Sequence, residues 1–157
     1  NHNRYYTKPY DPQKPAPPDC FAISKDLPTM APSDNSPDKQ ASSCAECPMN
    51  QFGSAANGKG KACRNMIRLA IVASDATADA EPMVLTVSPT GLKSWHSLVN
   101  NLTSTGLLPV QVVTEIAFDQ NAPYPTLTFK VREAHDRLED FWQLRDKAQT
   151  LLDQEPV

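Results

Sequence analysis

Arg64-Asn65-Met66-Ile67-Arg68-Leu69-Ala70-Ile71-Val72-Ala73 alternates between two kinds of residue. Ile67, Leu69, Ile71 and Ala73 fall on one face, and Arg64, Met66, Arg68 and Ala70 on the other. A period of two predicts a half-buried strand, because successive side chains of an extended chain point to opposite sides. Cys63 stands immediately before this strand. The chain contains four cysteines, Cys20, Cys44, Cys47 and Cys63. The inner pair forms the knuckle Cys44-Ala-Glu-Cys47, with one cysteine 24 residues before it and another 16 residues after it.

Two chemistries account for an even set of cysteines. Four sulfur ligands with a CxxC pair suit a tetrahedral metal such as Zn²⁺, held structurally because every coordination position is filled by protein. Two disulfides are the alternative, with three possible pairings, and free thiols are a third. The chain is long enough to build a core without covalent staples. A CxxC disulfide closes a very small ring, more typical of redox sites. Zinc held by Cys20, Cys44, Cys47 and Cys63 is therefore the expectation.

The segment between knuckle and strand is cationic. Asn57-Gly58-Lys59-Gly60-Lys61-Ala62-Cys63-Arg64-Asn65-Met66-Ile67-Arg68 carries Lys59, Lys61, Arg64 and Arg68 and no acidic residue. Gly58 and Gly60 are expected to let the backbone approach an anion and offer N–H donors to phosphate. The spacing is not that of a P-loop. The bland alternative is a solvated charged face.

Toward the N-terminus, residues 1–19 are polar and proline-rich, with Tyr5, Tyr6 and Tyr10, and Pro15-Ala16-Pro17-Pro18 excludes a helix. An extended arm is expected here, a disordered tail being the alternative. Cys20-Phe21-Ala22-Ile23 reads as a short first strand. Residues 24–43 are loop, with their ends tied through Cys20 and Cys44, and the zinc loop as a whole spans about 24–63.

Toward the C-terminus, residues 83–88 predict a strand with Met83, Leu85 and Val87 on one face. Residues 91–104 have helical spacing: Leu92, Trp95, Leu98, Val99 and Leu102 form one stripe, Thr90 can cap its start, Gly106 lies past its end and Pro109 prevents continuation. Residues 110–118 predict a strand with Val110, Val112, Ile116 and Phe118 in phase. Asn121 to Pro125 turns the chain. Residues 126–132 form the partner strand, with Leu127, Phe129 and Val131 inward and Thr128, Lys130 and Arg132 outward. A last helix is expected over 134–152, with Leu138, Phe141, Trp142, Ala148 and Leu151 on one side and Asp136, Glu139, Asp140, Asp146 and Asp153 on the others. Trp95 and Trp142 sit at core spacings.

The expected fold is mainly β with two helices, an α+β chain. An OB fold runs three strands, a helix and two strands, so an OB-like five-stranded barrel is predicted over 20–132. The zinc loop is inserted after the first strand, the arm precedes the barrel at 1–19, and an acidic amphipathic helix follows at 133–157.

The net charge is −3 over 157 residues, so nucleic-acid binding by bulk positive charge is excluded and a local patch is required. Lys130 and Arg132 extend the stripe begun by Lys59, Lys61, Arg64 and Arg68. Phe52 and Tyr124, in polar and turn-rich surroundings, are candidate platforms for stacked bases, although Phe52 also suits a cap on the knuckle and Tyr124 a simple turn residue. His2, His96 and His135 are scattered and no Ser/His/Asp, Cys/His or paired-carboxylate constellation stands out, so an enzyme is not expected. Asn101-Leu102-Thr103 fits a glycosylation sequon, but it falls on a predicted helix and is read as chance. No apolar run reaches the roughly 18–20 residues of a transmembrane helix, no signal peptide is recognisable, and no membrane partner is expected.

The string Cys44-xx-Cys47-Pro48-x-Asn50-x-Phe52-Gly53-Ser54, then Gly58-Lys59-Gly60-Lys61-Ala62-Cys63-Arg64-Asn65, and later Val87-Ser88-Pro89-Thr90-Gly91-Leu92-Lys93-Ser94-Trp95, resembles a group of small bacteriophage proteins of DNA metabolism. The likeness covers roughly residues 20–132. It implies single-stranded DNA binding in phage replication or recombination, in the cytoplasm of the infected bacterium. The helix-destabilising protein of large tailed phages is similar in plan, an OB fold with a structural zinc, but one of its ligands is His where this chain offers four Cys. The resemblance extends to the metal role of the cysteines and not to the DNA contacts. The acidic C-terminal helix is a candidate docking site for replication or recombination proteins. A zinc-stabilised interaction module without nucleic-acid binding is the alternative.

Overall fold

The computed structural model describes residues 1–9 and 11–156, so Tyr10 of the expected arm lies outside the described residues. Among the described residues the chain is a mixed α+β protein with six strands in two sheets and three α-helices. It divides into two compact units: Asn1–Ile67 with the last residues from Gln154, and Arg68–Asp153. This division falls inside the expected 20–132 domain.

The first unit is organised around a strand that hydropathy alone does not reveal. Residues His2–Tyr5 form β1, which pairs antiparallel with β2, Cys20–Ile23, and with the start of β3, Arg64–Ile71. The N-terminal stretch is thus a sheet strand at its beginning rather than an arm throughout. Its buried residues are His2 and Asn3, which are polar and signal no alternation of apolar groups. Asp19 closes the excursion between β1 and β2: its N–H donates to the Tyr5 carbonyl at 3.0 Å, and its carboxylate accepts from the Thr7 N–H at 2.7 Å and hydroxyl at 2.9 Å. The core of this unit includes Ala22, Met30 and Cys44.

β3 continues past Ile67, and β4, Met83–Val87, is its other neighbour, giving the sheet order β2-β1-β3-β4. In the second unit a 3₁₀ turn at Pro89–Gly91 leads into α1, Leu92–Ser104. The residue before α1 is Gly91, and the Thr90 hydroxyl is within 2.9 Å of the Ser88 hydroxyl instead of capping the helix. Gly91 admits no larger residue easily, since a Cβ there would meet Val87 Cγ1 at 3.0 Å. The end of α1 is as expected. Gly106 has φ +74°, its N–H donates to Thr103, and the Leu107 N–H donates to Leu102, closing a Schellman motif.

β5, Val112–Phe118, and β6, Leu127–Ala134, form a separate antiparallel hairpin with a bulge at Val113/Thr114. α1 packs on it: Trp95 meets Phe129 edge-to-face at 5.3 Å, and the Ser94 hydroxyl accepts from the Phe129 N–H at 2.9 Å. Among the expected inward residues of this hairpin Phe129 is buried, while Val131, Ile116 and Phe118 are exposed. No closed barrel forms among the described residues: β1 separates β2 from β3, and the β5–β6 pair stands as its own sheet.

The final helix is two: α2, Leu138–Trp142, and α3, Arg145–Leu152. A tightened turn at Leu144, whose N–H donates to the Phe141 carbonyl, separates them and buries the Leu144 side chain. Trp142, expected in the core, is 53 % exposed. No helix among the described residues is long and apolar enough to cross a membrane.

Candidate metal centre and nucleic-acid interface

Strand alternation gathers the cysteines. β1 sends Asn3 and Tyr5 to one face and His2 and Arg4 to the other. Tyr5 stands opposite Cys20, and Asn3 stands opposite both Ala22 and Asn65. Cys63 shares the phase of Asn65. The long loop is held so as to deliver the knuckle: Ser33 N–H donates to Phe21 O at 2.9 Å, Ser36 Oγ bridges the Phe21 N–H and carbonyl at 3.0 Å each, and Cys44 N–H donates to Met30 O at 2.9 Å. Cys63 N–H reaches Met49 O at 2.8 Å.

All four cysteines, together with Asn3, Tyr5 and Asn50, line one cavity of about 20 Å³. Cys20, Cys44 and Cys47 are buried, Cys63 is half-buried, and no disulfide links them. The thiols share the cavity without closing on a single point: among the described residues no group of three or more His, Cys, Asp or Glu side chains is gathered into a metal-holding cluster. Burial pushes the Cys44 thiol up, opposed by a hydrogen bond from Asn3 and reinforced by Cys20 and Cys47. Cys63 is pushed up to about 12, first by burial, then by Cys44, Cys47 and Cys20, against a small opposing pull from Lys61. Thiols this close and this dry resist ionising together unless a cation offsets the charge. An all-sulfur donor set around a cavity of ionic size is chemically suited to Zn²⁺ as a structural metal.

Behind the knuckle lies a polar network that the sequence reading missed. Asn50 Nδ2 donates to Cys44 O at 2.6 Å, Asn65 Nδ2 donates to Asn50 Oδ1 at 2.9 Å, and Lys61 Nζ donates to Asn65 Oδ1 at 3.1 Å. The available signal was phase: Asn65 shares the face of Cys63, so a polar residue there must find partners inside the site.

The glycine loop differs from expectation in one chemical respect. Gly53 and Gly58 have φ of +92° and +69° and let the loop turn back on itself, with the Gly53 and Ala55 N–H groups both donating to Gly60 O. The N–H groups expected to meet phosphate are used internally. Gly58 N–H donates to Ala55 O, and Asn57 Oδ1 accepts from Lys59 N–H at 3.0 Å and Gly60 N–H at 3.4 Å. What the loop offers is side chains. Lys59 is exposed, and Phe52 is 82 % exposed with the Lys61 ammonium 5.1 Å from its ring centroid. A ring so exposed is not a cap on the knuckle.

The residues of the expected cationic stripe are divided between the two units. Arg64 is exposed at the start of β3, on the sheet face opposite Asn65, and stands directly across the ladder from Arg4. Arg4, absent from the sequence reading, donates through Nε to His2 Nε2 at 3.0 Å. Arg68 belongs to the second unit, where its guanidinium donates to Leu151 O at 2.7 Å. In the same unit Arg132 is ion-paired with Glu115, Lys130 stands across the hairpin from Glu115, and Tyr124 is 57 % exposed at the turn. Of the acidic residues on the last helices, Asp140 pairs with Arg137 at 3.5 Å, while Glu139 and Asp146 are exposed.

Comparison of the chain with protein families, with curated proteins and with solved structures returned no match.

Proposed function

We propose that the first unit binds single-stranded DNA without strong sequence preference, on a loop made rigid by Zn²⁺ held by Cys20, Cys44, Cys47 and Cys63. The observation that carries this reading is the exposed Phe52 ring with the Lys61 ammonium against it. A base stacks on such a ring for about 1–3 kcal/mol, in a way that tolerates any base. Lys61 is anchored by Asn50 and Asn65, so less side-chain entropy is lost when a phosphate or base arrives. Lys59, Arg64 and Arg4 supply further positive charge from the loop and the adjoining strand ends. The metal's part is to fix the knuckle and Cys63, between which Phe52 and Lys61 lie.

The order β2, β3, β4, α1, β5, β6 is compatible with an OB-like plan, although β1 lies between β2 and β3 and no closed barrel forms among the described residues. Together with the phage-like cysteine motif, it supports a role in phage DNA replication or recombination within the infected host. Exposed acidic residues of α2 and α3 would be available to replication or recombination partners.

The test is fluorescence anisotropy with labelled oligo-dT at low and moderate salt, with and without prior chelation. Binding that falls with salt, as counterion release requires, and that is lost with the metal supports the reading. No binding at low salt overturns it and leaves a zinc-stabilised interaction module as the better account.

A further inference from the structure

The second unit contains a cavity of about 520 Å³, bounded by β3, β5, the hairpin partner β6 and the helices α2 and α3. Small-molecule sites typically measure roughly 300–1,000 Å³ and combine apolar walls with a few placed polar groups. The walls here are of that kind. Trp95, Phe129, Phe141 and Trp142 contribute aromatic surface, and the remaining lining is largely aliphatic.

The charged groups are of one sign: Arg68, whose guanidinium donates to Leu151 O, and Arg145. Among the described residues that line the cavity there is no aspartate or glutamate, although the chain as a whole is acidic. Arg145 lines it with its guanidinium 5.3 Å from the Trp142 ring centroid and in no ion pair with a described carboxylate. His135 lines it too. Its Nδ1 accepts the Arg137 N–H at 3.0 Å, so the neutral ring carries its proton on Nε2 as a donor. The His135 ring is held edge-on to Phe141 at 5.0 Å. A cation and a fixed donor beside a large aromatic cavity select a ligand with an apolar body and an anionic head.

We propose that this cavity is a binding site for an amphipathic organic acid, with Arg145 and the His135 Nε2–H meeting the carboxylate and the aromatic walls enclosing the apolar body. The proposal goes beyond DNA binding and does not depend on it. A guanidinium placed 5.3 Å over the Trp142 ring makes no ion pair with a described carboxylate, and a carboxylate can accept from two of its N–H donors at once.

The experiment titrates the full-length protein with 1-anilinonaphthalene-8-sulfonate, whose apolar body and sulfonate match the site, and then displaces it. One saturable site per chain is expected, with decanoate displacing the probe at least tenfold better than decanol. Naphthalene-2-carboxylate tests an aromatic against an aliphatic body, and preference for either acid over the alcohol supports the proposal. Ala148→Phe, which fills the cavity from α3, should weaken probe binding at least tenfold. Arg145→Gln, at an exposed position that keeps the fold, should narrow the acid-over-alcohol preference severalfold with an unchanged circular dichroism spectrum. Several weak probe sites, equal displacement by acid and alcohol, or an Arg145→Gln variant with undiminished acid preference would overturn it.

Discussion

The Lys61 ammonium lies 5.1 Å from the centroid of the Phe52 ring while also reaching Asn50 and Asn65, so a single cation ties the exposed aromatic to the polar network beneath the cysteine knuckle. Because Phe52 is 82 % exposed, its removal takes little from the folded core. Phe52→Ala is expected to weaken oligo-dT binding by about 1–3 kcal/mol, the usual worth of a base–aromatic stack, and to leave the melting temperature within a degree or two. Anisotropy and thermal unfolding of the same preparation check this. A lowered melting temperature with intact binding would make Phe52 a structural residue.

Arg4 and Arg64 are a second pair with a consequence. They stand directly opposite each other in the β1–β3 ladder, an arrangement that is unfavourable for like charges by roughly 0.2–1 kcal/mol. Arg64→Ala should therefore leave stability unchanged or slightly raised. If Arg64 contacts phosphate, the same change lowers the slope of log affinity against log salt by about one. Titrations with oligo-dT at four or more salt concentrations give that slope. A slope identical to the parent's would remove Arg64 from the interface.

The cysteines make a prediction about composition. Native mass spectrometry is expected to find one Zn²⁺ per chain, and denaturing mass under non-reducing conditions the fully reduced chain. Cys47→Ser should lose the metal and broaden or abolish the thermal transition of the parent, because a site of this kind contributes to folding directly. Zinc affinity should fall as the pH is lowered, since the ligands bind as thiolates and burial already favours the protonated form of Cys44 and Cys63. A chain lighter by four hydrogens would establish two disulfides instead.

The parts of the fold visible in the sequence are those whose elements bury apolar groups periodically. β3, β4, α1 and the β5–β6 hairpin announce themselves by alternation or by a helical stripe, and the end of α1 by Gly106. β1 was hidden because its buried residues are His2 and Asn3, polar groups whose place is set by the ladder to β2 and β3 and, for Asn3, by a hydrogen bond to Cys44. The break at Leu144 was hidden because the apolar stripe runs on through it. Barrel closure was unreadable for a different reason: it depends on which strand lies beside which, and β1 occupies the position next to β2 and β3. That the four cysteines belong together was suggested by the knuckle and its spacing, and all four line one cavity. The partners of Arg68 and Arg132 were not legible, because Leu151 and Glu115 are brought to them only by folding.

Asp19 supplies a pH dependence. The Thr7 N–H, more than any other group, holds its carboxyl below the ordinary value of 3.8, burial opposes this, and the Thr7 hydroxyl and Lys8 assist. A carboxylate whose proton affinity is lower folded than unfolded stabilises the folded chain above the unfolded value, and that contribution disappears as the pH falls through the folded one. What is stabilised is the closure of residues 7–19, whose far end returns to the sheet through the Asp19 N–H to the Tyr5 carbonyl. Asp19→Ala should thus melt below the parent at pH 7, and the gap between the two should shrink below about pH 4. Thermal unfolding of both proteins from pH 7 to pH 2.5 measures the gap. A gap that stays constant across that range would mean Asp19 acts through packing and not through its charge.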